Sequence, residues 1–479
     1  MKRKIVSVLL AVSMLAGMMA GCGNGGNDGN AKSDASGEEA GGDAADAAKD
    51  EAGGDDAADA AGDDASGEEA GGSDAEASGE QVTITYWGWD TNWYEPMFAK
   101  FMESHPNIKI EATTVAYSDY FTKIQQAIAS GSELPTMVQQ SCTLIENYKQ
   151  LGVFEDLTKD PYNVDPNAFF DFIKGRAMTD DGQLIGIEQS VSPSAIAYKR
   201  DLAKKYFGTD DPQELAEIFK TTDDYITEGK RVNEESGGTD YLFHAGGAVA
   251  EWLYFADSTD VQTDNTINFT EKMSKVMGLL CDMRDNKVVD TFENGTPQAN
   301  ATYADDNHLF YPCPNWAITY YIKSNDVDGS GNWGLMMPAT GGYSCGGCSV
   351  GITNTSTDAQ KAAAWEFINW AFFTEEGVQT AKEEVEYYVP TKEFYEDPSY
   401  AAGADEFFAG QDIGAFLYGE VAQSIVLPKT SVWDQTVIDI RDLLAVAVMA
   451  DPSMTAEDAV QKGLEECANR ITDSELTIK

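Results

Sequence analysis

The chain has 479 residues, 42% of them hydrophobic, and 81 acidic against 32 basic side chains give it a formal net charge of -49. That length and apolar content allow about two to three domains with sizeable cores. The charge excludes nucleic-acid binding, which rests on Lys and Arg neutralising phosphates, and disfavours anionic lipid headgroups.

Residues 1–21 read as an export signal: Lys2, Arg3 and Lys4 precede an apolar run, and small residues precede Cys22. The apolar run, about 15 residues, is short of the ~20 that span a bilayer. Residues 22–80 read as a disordered acidic linker. Residues 23–80 hold eighteen acidic residues, two lysines and no aromatic, Val, Ile or Leu. Such a segment cannot bury enough apolar surface to offset chain entropy. Ser36 to Gly42 recurs as Ser66 to Gly72, which is low complexity and not a folded repeat. A spacer and an acidic cation-binding tail are both compatible with this run.

Folded patterning begins at Gln81. Val82, Ile84 and Tyr86 alternate with threonines and predict a strand. Phe98, Phe101 and Met102 predict a helix over 93–105, stopped by Pro106. Ile108 and Ile110 predict a second strand. Phe121, Ile124 and Ile128 predict a second helix, closed near Gly131. Met137-Val138 follows as a third strand. This alternation points to a parallel, right-handed α/β layer. Downstream, 195–198 reads as a strand and 201–207 as a helix. Thr357-Asp358-Ala359-Gln360 predicts a capping box opening a helix that stops near Gly377. Residues 438–449 and 455–470 predict two final helices.

Met19-Ala20-Gly21-Cys22 resembles a bacterial lipoprotein box, which implies that Cys22 is lipidated. The body resembles the extracellular solute-binding proteins of ABC importers, their sugar-binding branch in particular. The motifs are Tyr86-Trp87-Gly88-Trp89-Asp90 after the first strand, Gly131-Ser132-Glu133-Leu134-Pro135-Thr136-Met137-Val138, Ala197-Tyr198-Lys199-Arg200-Asp201-Leu202, Ala364-Trp365-Glu366-Phe367-Ile368, Val389-Pro390-Thr391 and Val432-Trp433. Leu309 to Pro314 departs from the family pattern ahead of Asn315-Trp316. The resemblance implies an α/β, two-lobed periplasmic-binding-protein-like fold with a ligand cleft between discontinuous lobes. Residues 81–193 and 300–348 would form the N-terminal lobe, and 194–299 with 349–479 the C-terminal lobe. Crossings would fall near Ser192 to Ala195, Pro297 to Ala301 and Gly347 to Ile352. It further implies a lipid-anchored monomer at the extracytoplasmic face of the cell membrane. Such a protein has no enzyme activity, cofactor or metal, binds a small molecule, a sugar above all, and has ABC permease subunits as partners.

A sugar needs aromatic platforms and hydroxyl partners. The candidates are Trp87, Trp89, Asp90, Gln140, Glu188, Trp252 with Tyr254, Asn315, Trp316, Gly346, Gly347 and Trp433. The tryptophans serve equally as packing residues, Glu188 as a solvated loop residue, and the two glycines as a turn. Trp365 and Trp370 sit on a periodic helix and read as core.

Six body cysteines permit disulfides in fifteen pairings. Cys345-Gly346-Gly347-Cys348 has redox spacing, yet its flanks read as loop into strand, unlike a thioredoxin-type helix start. His105, His244 and His308 are scattered, without zinc-type spacing. A sensor receptor, a polyamine or metal binder and a glycan-acting enzyme remain open alternatives.

Overall fold

The computed structural model describes residues 81–395 and 403–479. The predicted signal, Cys22 and the acidic linker lie outside the described residues.

Fourteen strands are described: β1 (Val82–Gly88), β2 (Ile108–Thr114), β3 (Met137–Ser141), β4 (Ile187–Ser190), β5 (Pro193–Lys199), β6 (Tyr241–Ala245), β7 (Gln262–Thr263), β8 (Thr266–Ile267), β9 (Val289–Phe292), β10 (His308–Pro314), β11 (Trp333–Met336), β12 (Tyr343–Ser344), β13 (Cys348–Ile352) and β14 (Thr477–Ile478). They form two principal sheets. The first runs β2-β1-β3-β13-β4, and the second β11-β5-β10-β6-β9, with β12 extending the ladder of β5. A small third sheet joins β14, β8 and β7.

The first lobe begins as the sequence predicts. β1 pairs in parallel with β2 and β3. The connecting Thr91–Ser104 helix is opened by Asp90, whose carboxylate accepts the Trp93 N–H. Its stripe of Trp93, Met97, Phe98 and Phe101 is buried against the sheet. Gly131, at φ 68, closes the Tyr117–Ser130 helix in the left-handed conformation that glycine adopts without cost. The Asp358–Phe373 helix opens on the predicted capping box, in which Thr357 and Gln360 satisfy each other's backbone amides. Trp370 on this helix is buried, and Trp365 packs against the same core.

Lobe membership departs from the expected boundaries. β10 pairs with β5 and β6, setting Phe310 against Tyr198 and Phe243. Residues 308–344 therefore belong to the second lobe. β13 inserts antiparallel between β3 and β4, which returns 348–352 to the first. Pro297–Ala301 is a short helix within the second-lobe segment and not a crossing. The chain crosses at Val191-Ser192 and again at 345–347, and the Asp434–Ala450 helix packs in the second-lobe core.

One face of the second sheet buries Phe243, Trp252, Phe310, Met277 and Leu444 in its own core. The other face contributes Ala195, Ala197, Tyr311 and Leu335 to the core of the first lobe. The lobes thus share continuous apolar packing on one side.

All six body cysteines are free thiols, so the expected option of disulfides is not taken in this structure. The predicted stop at Gly377 is displaced. Thr374 ends one helix and caps the next, its hydroxyl donating to Trp370 O (2.7 Å) and accepting from Gly377 N (3.2 Å). Gly377 serves the close approach instead, because a Cβ there would stand 1.9 Å from the Trp370 carbonyl oxygen. Gly377→Ala is expected to destabilise the body by about 1–3 kcal/mol, as overpacking does. Urea unfolding should show a lower midpoint with an unchanged slope.

Candidate ligand-binding cleft

The lobes face each other across a cavity of about 80 Å³. Its walls come from both. The first lobe supplies Cys142, Thr143 and Arg176. The second supplies Tyr254, Phe255, Lys272, Ser344, Asp434 and Ile438, and the crossing and a late segment add Gly346, Leu427, Pro428 and Thr430. The volume falls below the ~300 Å³ at which ligand pockets begin. The lobes also touch directly: Gln435 Oε1 accepts from Thr143 Oγ1 (2.6 Å) and Tyr117 Oη (3.4 Å), and Thr430 Oγ1 donates to Glu146 (2.5 Å).

Three cations border or back the cavity. Arg176 grips Glu188 with two parallel hydrogen bonds, Nε–Oε1 3.0 Å and Nη2–Oε2 2.6 Å, both side chains being buried. Burial works to lower the Arg176 pKa, but the Glu188 carboxylate holds it above the ordinary value. Lys272 donates to the carbonyls of Asp257 (2.6 Å) and Thr259 (3.3 Å) and lies 4.4 Å above the Tyr254 ring. Burial lowers its pKa to about 8 against the pull of Asp257. Arg441 lies 5.1 Å over Tyr254 and 5.5 Å over Phe255, and pairs with Asp442. Its buried Nη1 has no hydrogen-bond partner.

Asp434 is the carboxylate among the lining residues, and burial raises its pKa to about 7 against the Ser431 N–H and the Lys272 charge.

The sequence-chosen residues fall mostly around this cavity and not on it. Gly346 lines it. Trp252 is a correction: it is fully buried in the second core, its Nε1 donating to Thr340. Tyr254, weighed beside it, does line the cavity. Two residues along a helix rotate the side chain by ~200°, so Trp252 lies wholly inside the core while Tyr254, also a core residue, reaches the cleft wall. Gln140 is buried and spends its amide on Ile185 O and Ser349 Oγ, and Glu188 holds Arg176. Trp87 lies under Lys123 (4.2 Å), and Trp89 packs on Tyr117 and Tyr120. Asp90 caps its helix and accepts from Tyr320 Oη. Asn315 donates to Tyr418 and borders a separate cavity. Trp316 joins both cores and donates to Cys345 O (2.9 Å). Gly347 lies in the crossing, and Trp433 precedes the Asp434–Ala450 helix, half-buried on the second core.

Lys272, Arg441 and Asp434 were missed, although a signal exists. Lys272 follows Phe269 by three within a buried stripe, and Arg441 stands between Val437 and Leu444 on another. A charge on an apolar helix stripe marks a special environment. Arg176 lies in irregular chain and carries no such mark.

A family profile described as bacterial extracellular solute-binding protein matches residues 96–409. The chain belongs to that family. A search of curated proteins finds no significant match. Among solved structures, it is similar to a family 1 extracellular solute-binding protein (TM-score 0.71, 19% identity, 81% of this chain and 99% of that one). It is also similar to the galacto-N-biose/lacto-N-biose I-binding protein of the ABC transporter from Bifidobacterium longum, in complex with lacto-N-biose (TM-score 0.66, 19%, 84% and 100%). A third similar structure is the sugar-binding protein MalE from Xanthomonas citri (TM-score 0.64, 20%, 81% and 98%). These neighbours share the two-lobed α/β fold found here. No helix among the described residues is long and apolar enough to cross a membrane.

Asp434 sets a pH dependence. Between about 4 and about 7 the folded protein retains a proton on Asp434 that the unfolded chain has released. Its contribution to stability is therefore present at low pH and lost as pH rises through about 7. Asp434→Asn should remove this slope, so that the gap in melting temperature between variant and parent moves in the variant's favour across the window.

Proposed function

We propose that the protein is the lipid-anchored substrate-binding component of an ABC importer and that it captures a mono- or oligosaccharide by closure of its lobes. The observation that carries this is the cavity walled by both lobes, whose lining residues Thr143 and Thr430 make hydrogen bonds from lobe to lobe. A site made from two bodies joined by short crossings fills and empties by hinge motion. Ligand contacts that exist only in the closed state shift the equilibrium toward it. The Tyr254 and Phe255 rings offer apolar surface to a sugar ring, and Thr143, Ser344 and Thr430 offer hydroxyl partners. The sugars bound by the structural neighbours support the same reading. We infer binding without turnover, at the extracytoplasmic face of the membrane, with the permease subunits as partners. Cations on both sides of the cavity disfavour a polyamine or metal ligand.

A thermal-shift screen of the purified chain against saccharides, polyamines and metal ions tests the reading. A saccharide at 100 times its Kd should stabilise the chain by about 2.7 kcal/mol. A response confined to polyamines or metals would overturn the carbohydrate assignment. Gln435→Ala, which removes the bridge to Thr143, should weaken saccharide binding about 2- to 12-fold, the equivalent of a 0.5–1.5 kcal/mol hydrogen bond. Calorimetry measures it.

Lipidation is proposed at Cys22. Cys22→Ser should abolish incorporation of labelled palmitate and release the protein from the membrane fraction. Retention of the label would overturn the assignment.

A further inference from the structure

We infer that the saccharide held in this cleft carries a carboxylate, seated between Arg176 of the first lobe and Lys272 of the second. The inference rests on the capture reading above and narrows it to acidic sugars.

The cavity wall carries a cationic donor that is not fully spent. A guanidinium has five N–H groups in a planar fork. In Arg176 the Nε and Nη2 edge is taken by Glu188, and Nη1 makes no hydrogen bond among the described residues, while the side chain lines the cavity. The Lys272 ammonium directs two of its three protons at the carbonyls of Asp257 and Thr259, has the Asp257 carboxylate 3.6 Å away, and lines the cavity from the second lobe. Behind the aromatic wall, Arg441 pairs with Asp442 and leaves its buried Nη1 without a partner.

A neutral glycan would supply hydroxyls to these donors and no charge. A carboxylate supplies acceptor oxygens and a charge, and hydrogen bonds between charged groups are about twice as strong as neutral ones.

The placement of the cations ties this to closure. Arg176 and Lys272 stand on opposite lobes, each beside a carboxylate of its own lobe, and both line the cavity of about 80 Å³. An anion between them makes contacts to both lobes that exist only when the lobes are closed. It favours the closed state selectively, as a ligand must if it is to shift a hinge. The chain's net charge of -49 does not prevent this. Exposed charges are screened beyond ~8 Å at physiological salt, whereas groups inside a cavity are screened much less.

Calorimetric titration of the full chain with a panel of glucuronides, galacturonides and sialosides, their methyl esters and matched neutral glycans tests the inference. At least one acid should bind about tenfold or more tightly than its methyl ester. The advantage should shrink in Lys272→Met, and the acid-to-ester ratio in the parent chain decides the matter even where that variant folds poorly. Esters or neutral glycans binding as tightly as every acid would overturn the inference and leave carbohydrate capture standing. Silence of every saccharide would overturn both.

Discussion

Three residues, Cys345, Gly346 and Gly347, hold the two lobes in register, and the architecture depends on them. β12 pairs with β5 in the second sheet, and β13, three residues later, lies between β3 and β4 in the first. So short a link must turn sharply, and Gly346 and Gly347 do so at φ 93 and 107, where a side chain would be strained. Each carbonyl of the link has a donor: Trp316 Nε1 for Cys345, Cys142 Sγ for Gly346 and Cys142 N for Gly347. Buried backbone left without such partners would cost about as much as the lost hydrogen bonds. A Cβ on Gly346 would approach Trp316 Nε1 to 3.0 Å. The link therefore fixes the ring of Trp316, which packs into both cores, and borders the cavity through Gly346.

The shared packing and the cavity divide the interlobe boundary into two kinds of surface. Where the second sheet turns Ala195, Ala197 and Tyr311 toward the first core, the boundary is apolar and continuous. Around the cavity, the lobes are bridged by a few hydrogen bonds at Gln435. Apolar burial scales with area and resists separation, whereas single polar contacts contribute about 1 kcal/mol each. A body packed firmly over one region and lightly over another opens at the light region, where the cavity lies.

Charge inside the cleft is arranged by the fold and not by composition. In a chain of net charge -49, the cavity presents Arg176 and Lys272, with Arg441 behind its rings and a single lining carboxylate that burial holds near neutrality. Arg176 and Lys272 each remain charged because a carboxylate of their own lobe, Glu188 or Asp257, accompanies them. Buried charge without such pairing is strongly destabilising.

The sequence by itself determined the elements that local chemistry encodes: the alternating β1, the stripe of Phe98 and Phe101, the left-handed stop at Gly131 and the capping box at Thr357. Each depends on residues within one turn or one strand of each other, so its pattern survives in one dimension. The α/β class follows from their alternation, and the landmark motifs pointed to the family. Tertiary structure alone decided which lobe received β10 and β13, since strand pairing joins residues such as Ser141 and Cys348 that lie far apart in the chain. It likewise decided which aromatics packed and which faced the cleft. Trp252 and Tyr254 are equivalent in composition and differ by ~200° around one helix, and only the position of that helix against the second sheet gave Tyr254 to the cavity.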